Sequence, residues 1–302
     1  MNNIVAFGDW HGNTPCAMQA ITHALKHHPD AHLVHVGDFG FWDTNITDAR
    51  GNLRGFVAKI NDLLGKHNTK LHVMLGNHDN YWAVQNVYGY KALYNNDAVH
   101  IDGVFSDPVP VINEEITSHL YIPGDEITDE NAYKYMYMTD QGFLTSELFP
   151  NILVIPRGCV WRVNNITCAS LGGGGSVDLS IRLRGRDWWE EEAVSAEQVD
   201  RFVSMVEHSP YPDVDVMFTH DLPRCVVEDI TRDWEPLRLP RDVQHYTESI
   251  QRNIDNAVLR INPALLVGGH MHTRYSGVMD NGTKVEVLNR DGSPVRENYL
   301  AI

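Results

Sequence analysis

The chain has 302 residues, 43% hydrophobic and 21% charged, which are the proportions of a globular protein able to bury a sizeable core. Forty acidic against 24 basic residues give a formal charge of −16, which excludes a broad basic footprint for nucleic-acid backbone but leaves room for a small anion drawn in by bound cations. No apolar run reaches the about 20 residues that span a bilayer, the first residues lack the pattern of a secretory leader, and Cys16, Cys159, Cys168 and Cys225 form no Cys-x-x-Cys pair, so a cytoplasmic protein without disulfides is expected.

Asn3 to Phe7 reads as a short strand ending at Gly8-Asp9, followed by a loop with Trp10, His11, Gly12 and Asn13. Thr14 to His28 has helical spacing through Ala17, Ile21, Ala24 and Leu25. Ala31 to Val36 is the next strand, broken by Gly37-Asp38. Arg50 to His67 is a helix with Leu53, Val57, Ile60 and Leu64 on one face, and Lys70 to Leu75 is a strand ended by Gly76-Asn77-His78-Asp79. This βαβαβ order implies parallel strands with helices packed on them. Further on, Leu120 to Pro123, Ile152 to Ile155, Val160 to Val163 and Ile166 to Leu171 read as strands, followed by a glycine run from Gly172 to Gly175 that is expected to be a flexible turn. Ser195 to Glu207 is a helix with Ser195 as its cap and Gln198 three residues on. Asp213 to Thr219 is a strand ending at His220, Tyr246 to Arg260 a helix, Leu265 to Val267 a strand ending in Gly268-Gly269-His270-Met271-His272, and Thr283 to Leu288 a last strand. No repeat or low-complexity linker interrupts the chain, so a single domain over residues 1–302 is expected.

Five short segments carry chemistry, namely Asp9-x-His11, Gly37-Asp38, Gly76-Asn77-His78-Asp79, His220 and Gly269-His270-x-His272. Imidazole and carboxylate are good ligands for divalent transition metals, and one carboxylate can bridge two ions about 3.5–4 Å apart. Residues two apart in extended backbone point the same way, so Asp9 with His11, and His270 with His272, can each reach one site. Each segment follows a strand, and loops at the carboxyl ends of strands in α/β sheets converge on one crevice. Taken singly, an Asp or His at a strand end is a turn former or a cap; together, in this order, they are a ligand set. The remaining histidines, His32, His35 and His72 among them, match no motif and read as packing or surface residues.

This ordered set resembles the calcineurin-like metallophosphoesterase superfamily from Asp9 to His272. The resemblance implies an α/β fold of two facing β-sheets flanked by helices, a four-layer αββα sandwich. It implies that Asp9, His11 and His272 hold one divalent ion, that Asn77, His220 and His270 hold a second, and that Asp38 bridges both. Manganese is the expected ion, and iron, zinc, nickel, cobalt and magnesium suit the same ligands. His78 would face the leaving oxygen as a general acid or a stabiliser of transition-state charge, with Asp79 orienting it or a ligand. The implied reaction is hydrolysis of a phosphate ester by hydroxide bridging the two ions.

Departures from the family's branches narrow the substrate. The segment Gly37-Asp38-Phe39-Gly40-Phe41-Trp42-Asp43 lacks the Asp-Arg-Gly of protein phosphatases and dinucleoside-polyphosphate hydrolases, and Asp79 stands where protein phosphatases have Glu, despite the similar opening through Asn13. A phosphodiester of a small or cyclic nucleotide is the favoured substrate, with a broad phosphomonoesterase as the alternative; a DNA nuclease or a non-catalytic scaffold fits less well. Residues 172–192 read either as a solvated surface segment with two packed tryptophans or as a substrate flap in which Arg182 and Arg186 meet phosphate and Trp188 and Trp189 stack on a base, with Asn13 also expected to bind substrate. No membrane or extended nucleic-acid partner is expected, and the oligomeric state is left open.

Overall fold

The computed structural model describes residues 4–46, 55–88, 143–146, 148–209, 211–235 and 238–302. The expected strand Leu120 to Pro123 and the first turn of the helix expected from Arg50 lie outside them. The first half runs β1 (Ile4–Phe7), α1 (Thr14–His27), β2 (His32–His35), α2 (Asp43–Ile46), α3 (Phe56–Lys66), β3 (Leu71–Val73) and α4 (Tyr81–Tyr88). The second half runs β4 (Ile152–Val154), β5 (Val160–Val163), β6 (Ile166–Leu171), α5 (Ala196–His208), β7 (Val216–Thr219), α6 (Arg224–Thr231), α7 (Arg241–Ile261), β8 (Leu265–Gly268), β9 (Tyr275–Val278), β10 (Lys284–Val287), α8 (Val295–Asn298) and β11 (Tyr299–Ala301).

Two mixed sheets result, ordered β11-β1-β2-β3-β4 and β5-β6-β7-β8-β10-β9. Within them β1, β2, β3 and β4 run parallel, as do β6, β7, β8 and β10, while β11, β5 and β9 pair antiparallel at the edges. The period of two along each strand sorts the core into layers. Ile4 and Ala6 of β1 face the second sheet and join Val34, Trp161, Val216 and Phe218 between the sheets. Val5 and Phe7 face the other way, onto α1, α3 and α4, and the outer face of the second sheet is covered by α5, α6 and α7. This is the expected four-layer αββα sandwich.

Local signals explain the helix starts. The Asn13 side chain accepts from the Cys16 amide at the start of α1, and Ser195 and Gln198 form the reciprocal capping box of α5. α7 begins at Arg241, five residues before the expected Tyr246, because its first turn is polar and its buried stripe starts with the single residue Val243. β9 and β11 are additions to the expected strands. Both are short edge strands with half-exposed side chains, so neither carries an apolar alternation. No helix among the described residues is long and apolar enough to cross a membrane.

Candidate functional site

The loops after β1, β2, β3, β7 and β8 meet in one crevice. Asp9, His11, Asp38 and His272 each offer a ligand atom within 4.8 Å of the others, and so do Asp38, His220 and His270. Asp38 belongs to both groups. In the first, His272 Nε2 lies 3.4 Å from Asp9 Oδ2 and His11 Nε2 lies 3.4 Å from Asp38 Oδ2. In the second, His220 Nε2 lies 3.3 Å from Asp38 Oδ1. Asn77 completes it, its Oδ1 standing 3.0 Å from His220 Nε2 and 2.9 Å from His270 Nδ1.

The backbone is bent to aim these groups. Seven non-glycine residues among those described have left-handed φ, and three are asparagines, which tolerate it. The other four are His11, Asp38, His270 and His272, all in the crevice. Each such conformation costs about 1–3 kcal/mol and persists where the surroundings enforce it, as at functional sites. Gly37 must itself be a glycine, because it has φ 110° and a Cβ there would lie 2.5 Å from the His220 ring.

Outer partners set the ring orientations. His220 Nδ1 faces the Val36 carbonyl at 3.0 Å, which only accepts, so Nδ1 carries a proton and Nε2 points into the crevice. His11 Nδ1 faces Asp291 at 2.9 Å in the same manner, and Asp291 also accepts from Asn13 Nδ2. Burial alone would push the Asp38 carboxyl up, yet His220, His78 and His11 hold it well below the usual carboxylate range. Against burial, Asp38 and Asp9 raise His11 to about 9 and His220 to about 10. Those imidazole protons are the ones a cation would displace.

The residues fit divalent metal. Asp38 Oδ2 is buried without a short hydrogen bond, its neighbour His11 Nε2 standing 3.4 Å away. Two fully buried carboxylates among imidazoles and an amide oxygen form a mixed N/O donor set suited to manganese, iron or zinc. A lone carboxylate in that position would be costly unless a cation met it.

His78 stands at the rim. Its amide donates to Asp38 Oδ1 at 2.7 Å, and its ring lies edge-on to His11 with centroids 5.5 Å apart. Burial pushes its imidazole down to about 4 against the pull of Asp38, and the Arg182 charge adds to the depression. Arg182 Nη2 lies 3.0 and 2.9 Å from the two ring nitrogens of His78, while Asp178 and the Asp187 carbonyl hold the rest of the guanidinium. Asp79 is placed differently from its expected contact with His78 or a ligand. It accepts from the amides of Phe39, Gly40, Phe41 and Gly76, tying the loop after β2 to the loop after β3.

The rest of the expected flap divides. Arg186 turns into solvent beside Asp187, and Arg184 pairs with Glu190. Trp188 is half-buried. Trp189 is 3% exposed and packs into the core with α1, α3 and α4, which corrects the expectation that it stacks on a ligand. Asn13 caps α1 and braces Asp291, so both ends of its amide are used by the protein. The glycine run lies beside the site, but packed rather than as the flexible turn expected. Gly172 to Gly175 are buried, and the amides of Gly173, Gly174 and Gly175 donate to the Leu75 carbonyl, the Glu192 carbonyl and Asp221 Oδ2. The run is glycine because it passes close behind the ligands, a Cβ on Gly174 falling 3.2 Å from the His220 ring. Asp291, Asp221 and Ser176 also belong to the site. All three were missed from the sequence; adjacency to His220 could have pointed to Asp221, whereas the other two carry no pattern.

A family model described as Calcineurin-like phosphoesterase matches residues 3–274. No curated protein matches the chain. Among solved structures, the chain is similar to a phosphopantetheinyl hydrolase of Mycobacterium tuberculosis, with 13% identity, 99% of this chain and 95% of that one covered, and a TM-score of 0.48. It is similar also to the protein TT1561 of Thermus thermophilus, at 10% identity, 96% and 89% coverage and a TM-score of 0.44, and to a 5'-nucleotidase of Candida albicans, at 13% identity, 99% and 50% coverage and a TM-score of 0.36.

Proposed function

Because the chain belongs to the calcineurin-like phosphoesterase family of metal-dependent hydrolases, we propose that it hydrolyses a phosphodiester, in a small or cyclic nucleotide, at a dinuclear centre. The observation that carries this reading is the sharing of Asp38 between two ligand groups. Asp9, His11 and His272 would hold one ion, Asn77, His220 and His270 the other, and Asp38 both. When bound, such ions supply an activated water and neutralise phosphate oxygens, manganese being the expected pair.

The protein's own groups do the rest. The left-handed ligand loops and the Asp79 hydrogen bonds hold the carboxylates and imidazoles in place before substrate arrives. His78, neutral at physiological pH, would donate an N–H to the leaving oxygen, with the Arg182 guanidinium beside it stabilising the charge that develops. Its low pKa favours this electrostatic role over that of a proton source.

The flap supports a diester. All three flap arginines have acidic partners, Asp178, Glu190 and Asp187, and Arg182 is the one whose Nη2 also reaches His78. A guanidinium partly neutralised by Asp178 is a better match for a monoanionic diester than for a dianionic monoester. Nucleotide selectivity would come from Trp188, the half-buried member of the tryptophan pair. The four cysteines are unpaired, in keeping with a cytoplasmic setting. The test is hydrolysis by Mn2+-loaded protein of bis(p-nitrophenyl) phosphate, p-nitrophenyl phosphate and a panel of cyclic nucleotides. The reading expects the diesters to be cleaved faster than the monoester; a preference for the monoester would replace it with the phosphomonoesterase reading.

A further inference from the structure

Glu192 is a fully buried carboxylate to which the proposed chemistry gives no role. Its Oε2 accepts from the Ser176 hydroxyl at 2.8 Å, and its Oε1 from the Ser176 amide and the Tyr246 hydroxyl, both at 2.9 Å. Ser176, itself fully buried, accepts in turn from Asn77 Nδ2 at 3.1 Å. Asn77 is the amide whose oxygen faces His220 and His270.

With Glu192 ionised, the order of donors along this chain has a single sense. The carboxylate then only accepts, so Ser176 spends its one hydroxyl proton on Glu192. The lone pairs of Ser176 are then left for Asn77, which must present its NH2 end to them. The oxygen end of the amide is thereby turned toward the two histidines. An amide has nearly the same shape either way round, so nothing in its size prevents a flip that would aim NH2 at a cation. The hydrogen-bond polarity prevents it.

We propose that Glu192, acting through Ser176, is the positioning residue that holds Asn77 with its oxygen toward the second ion. The inference rests on the metal-centre reading above and extends it to two residues outside the ligand motifs. It also gives the Glu192 segment a task, because the same residue's carbonyl accepts from Gly174 behind the ligands. Outer groups of this kind typically change metal affinity by about 10–100-fold when removed.

The experiment is calorimetric titration of Mn2+ alone into metal-free wild type, Ser176→Ala, Glu192→Gln and Tyr246→Phe. In Glu192→Gln an amide NH2 facing Ser176 would reverse the polarity of the chain. Wild type is expected to take two ions. Ser176→Ala and Glu192→Gln are expected to weaken one of them by about 10–100-fold and leave the other within about twofold. In a His272→Ala background, which keeps the second ion, Ser176→Ala should weaken the ion that remains. Tyr246→Phe leaves the Glu192–Ser176–Asn77 chain intact and should bind as wild type while melting at a lower temperature. Should Glu192→Gln fail to fold, Ser176→Ala, which deletes one hydroxyl, carries the test. Two ions bound as in wild type by Ser176→Ala, or equal weakening of both, overturns the proposal. A wild type that binds no Mn2+ overturns the metal-centre reading itself, and this inference with it.

Discussion

At the scale of single residues, the account turns on Asp38 and His78. One carboxylate lies in both ligand groups, so Asp38→Ala should lose both ions, whereas His272→Ala should lose mainly the first and His220→Ala mainly the second. Elemental analysis of the purified variants measures this, and two full ions in Asp38→Ala would remove its bridging role. His78→Ala should keep its metals and lose turnover by about 10²–10³, the range for a lost transition-state donor. Because burial holds His78 near 4 and so neutral, the loss should be equal on good and poor leaving groups. A much smaller loss on nitrophenyl esters than on alkyl esters would restore the proton-donor role. The gathering of Asp9, His11, Asp38, Asn77, His220, His270 and His272 in one crevice was legible because each motif is a local string after a strand. Asp291, Ser176 and Glu192 were not, since each is a single polar residue brought to the site by tertiary packing from 280, 99 and 16 positions away from its partner.

At the scale of elements, the segment from Arg182 to Trp189 is where composition and structure part. Arg182, Arg186, Trp188 and Trp189 were expected to share a binding role, but Asp178, Glu190 and Asp187 pair with all three arginines of the segment and the core takes Trp189. Burial of that kind follows from the facing surface of the first sheet, which the segment's own sequence does not encode. The prediction at this scale concerns Trp188 alone. A base stacked on an indole contributes about 1–3 kcal/mol, so Trp188→Ala should raise KM for a cyclic nucleotide and leave a small aryl diester nearly unchanged. Equal effects on both substrates, measured in parallel, would make Trp188 a structural residue. The glycine run teaches the same lesson. Its composition suggested freedom, whereas the structure packs it between the ligands and the Glu192 segment with three of its amides hydrogen-bonded.

At the scale of the whole molecule, the parallel strands with helices packed on them were legible because strand and helix periods alternate along the chain, whereas the two-sheet sandwich was implied by the resemblance that the ordered motifs carry. The edge strands β9 and β11 were hidden because half-exposed strands carry no apolar pattern. Away from the crevice, the fold stacks His32 on His72 with ring centroids 3.8 Å apart. Burial pushes His32 down to about 4 and His72 well below the ordinary imidazole range. The unfolded chain, with imidazoles near 6.5, therefore binds more protons than the folded one between about pH 6.5 and 4. The stability these rings contribute is present above that window and lost as pH falls through it. The advantage of wild type over His72→Gln in thermal melts should accordingly shrink from pH 7 to pH 4; a constant difference would contradict the assignment. The central claim, a dinuclear centre built on Asp38, is tested most directly by anomalous diffraction at the manganese edge from Mn2+-loaded crystals. The account predicts two peaks about 3.5–4 Å apart, one beside Asp9, His11 and His272 and the other beside Asn77, His220 and His270, with Asp38 between them. A single peak, or two that do not share Asp38, would contradict it.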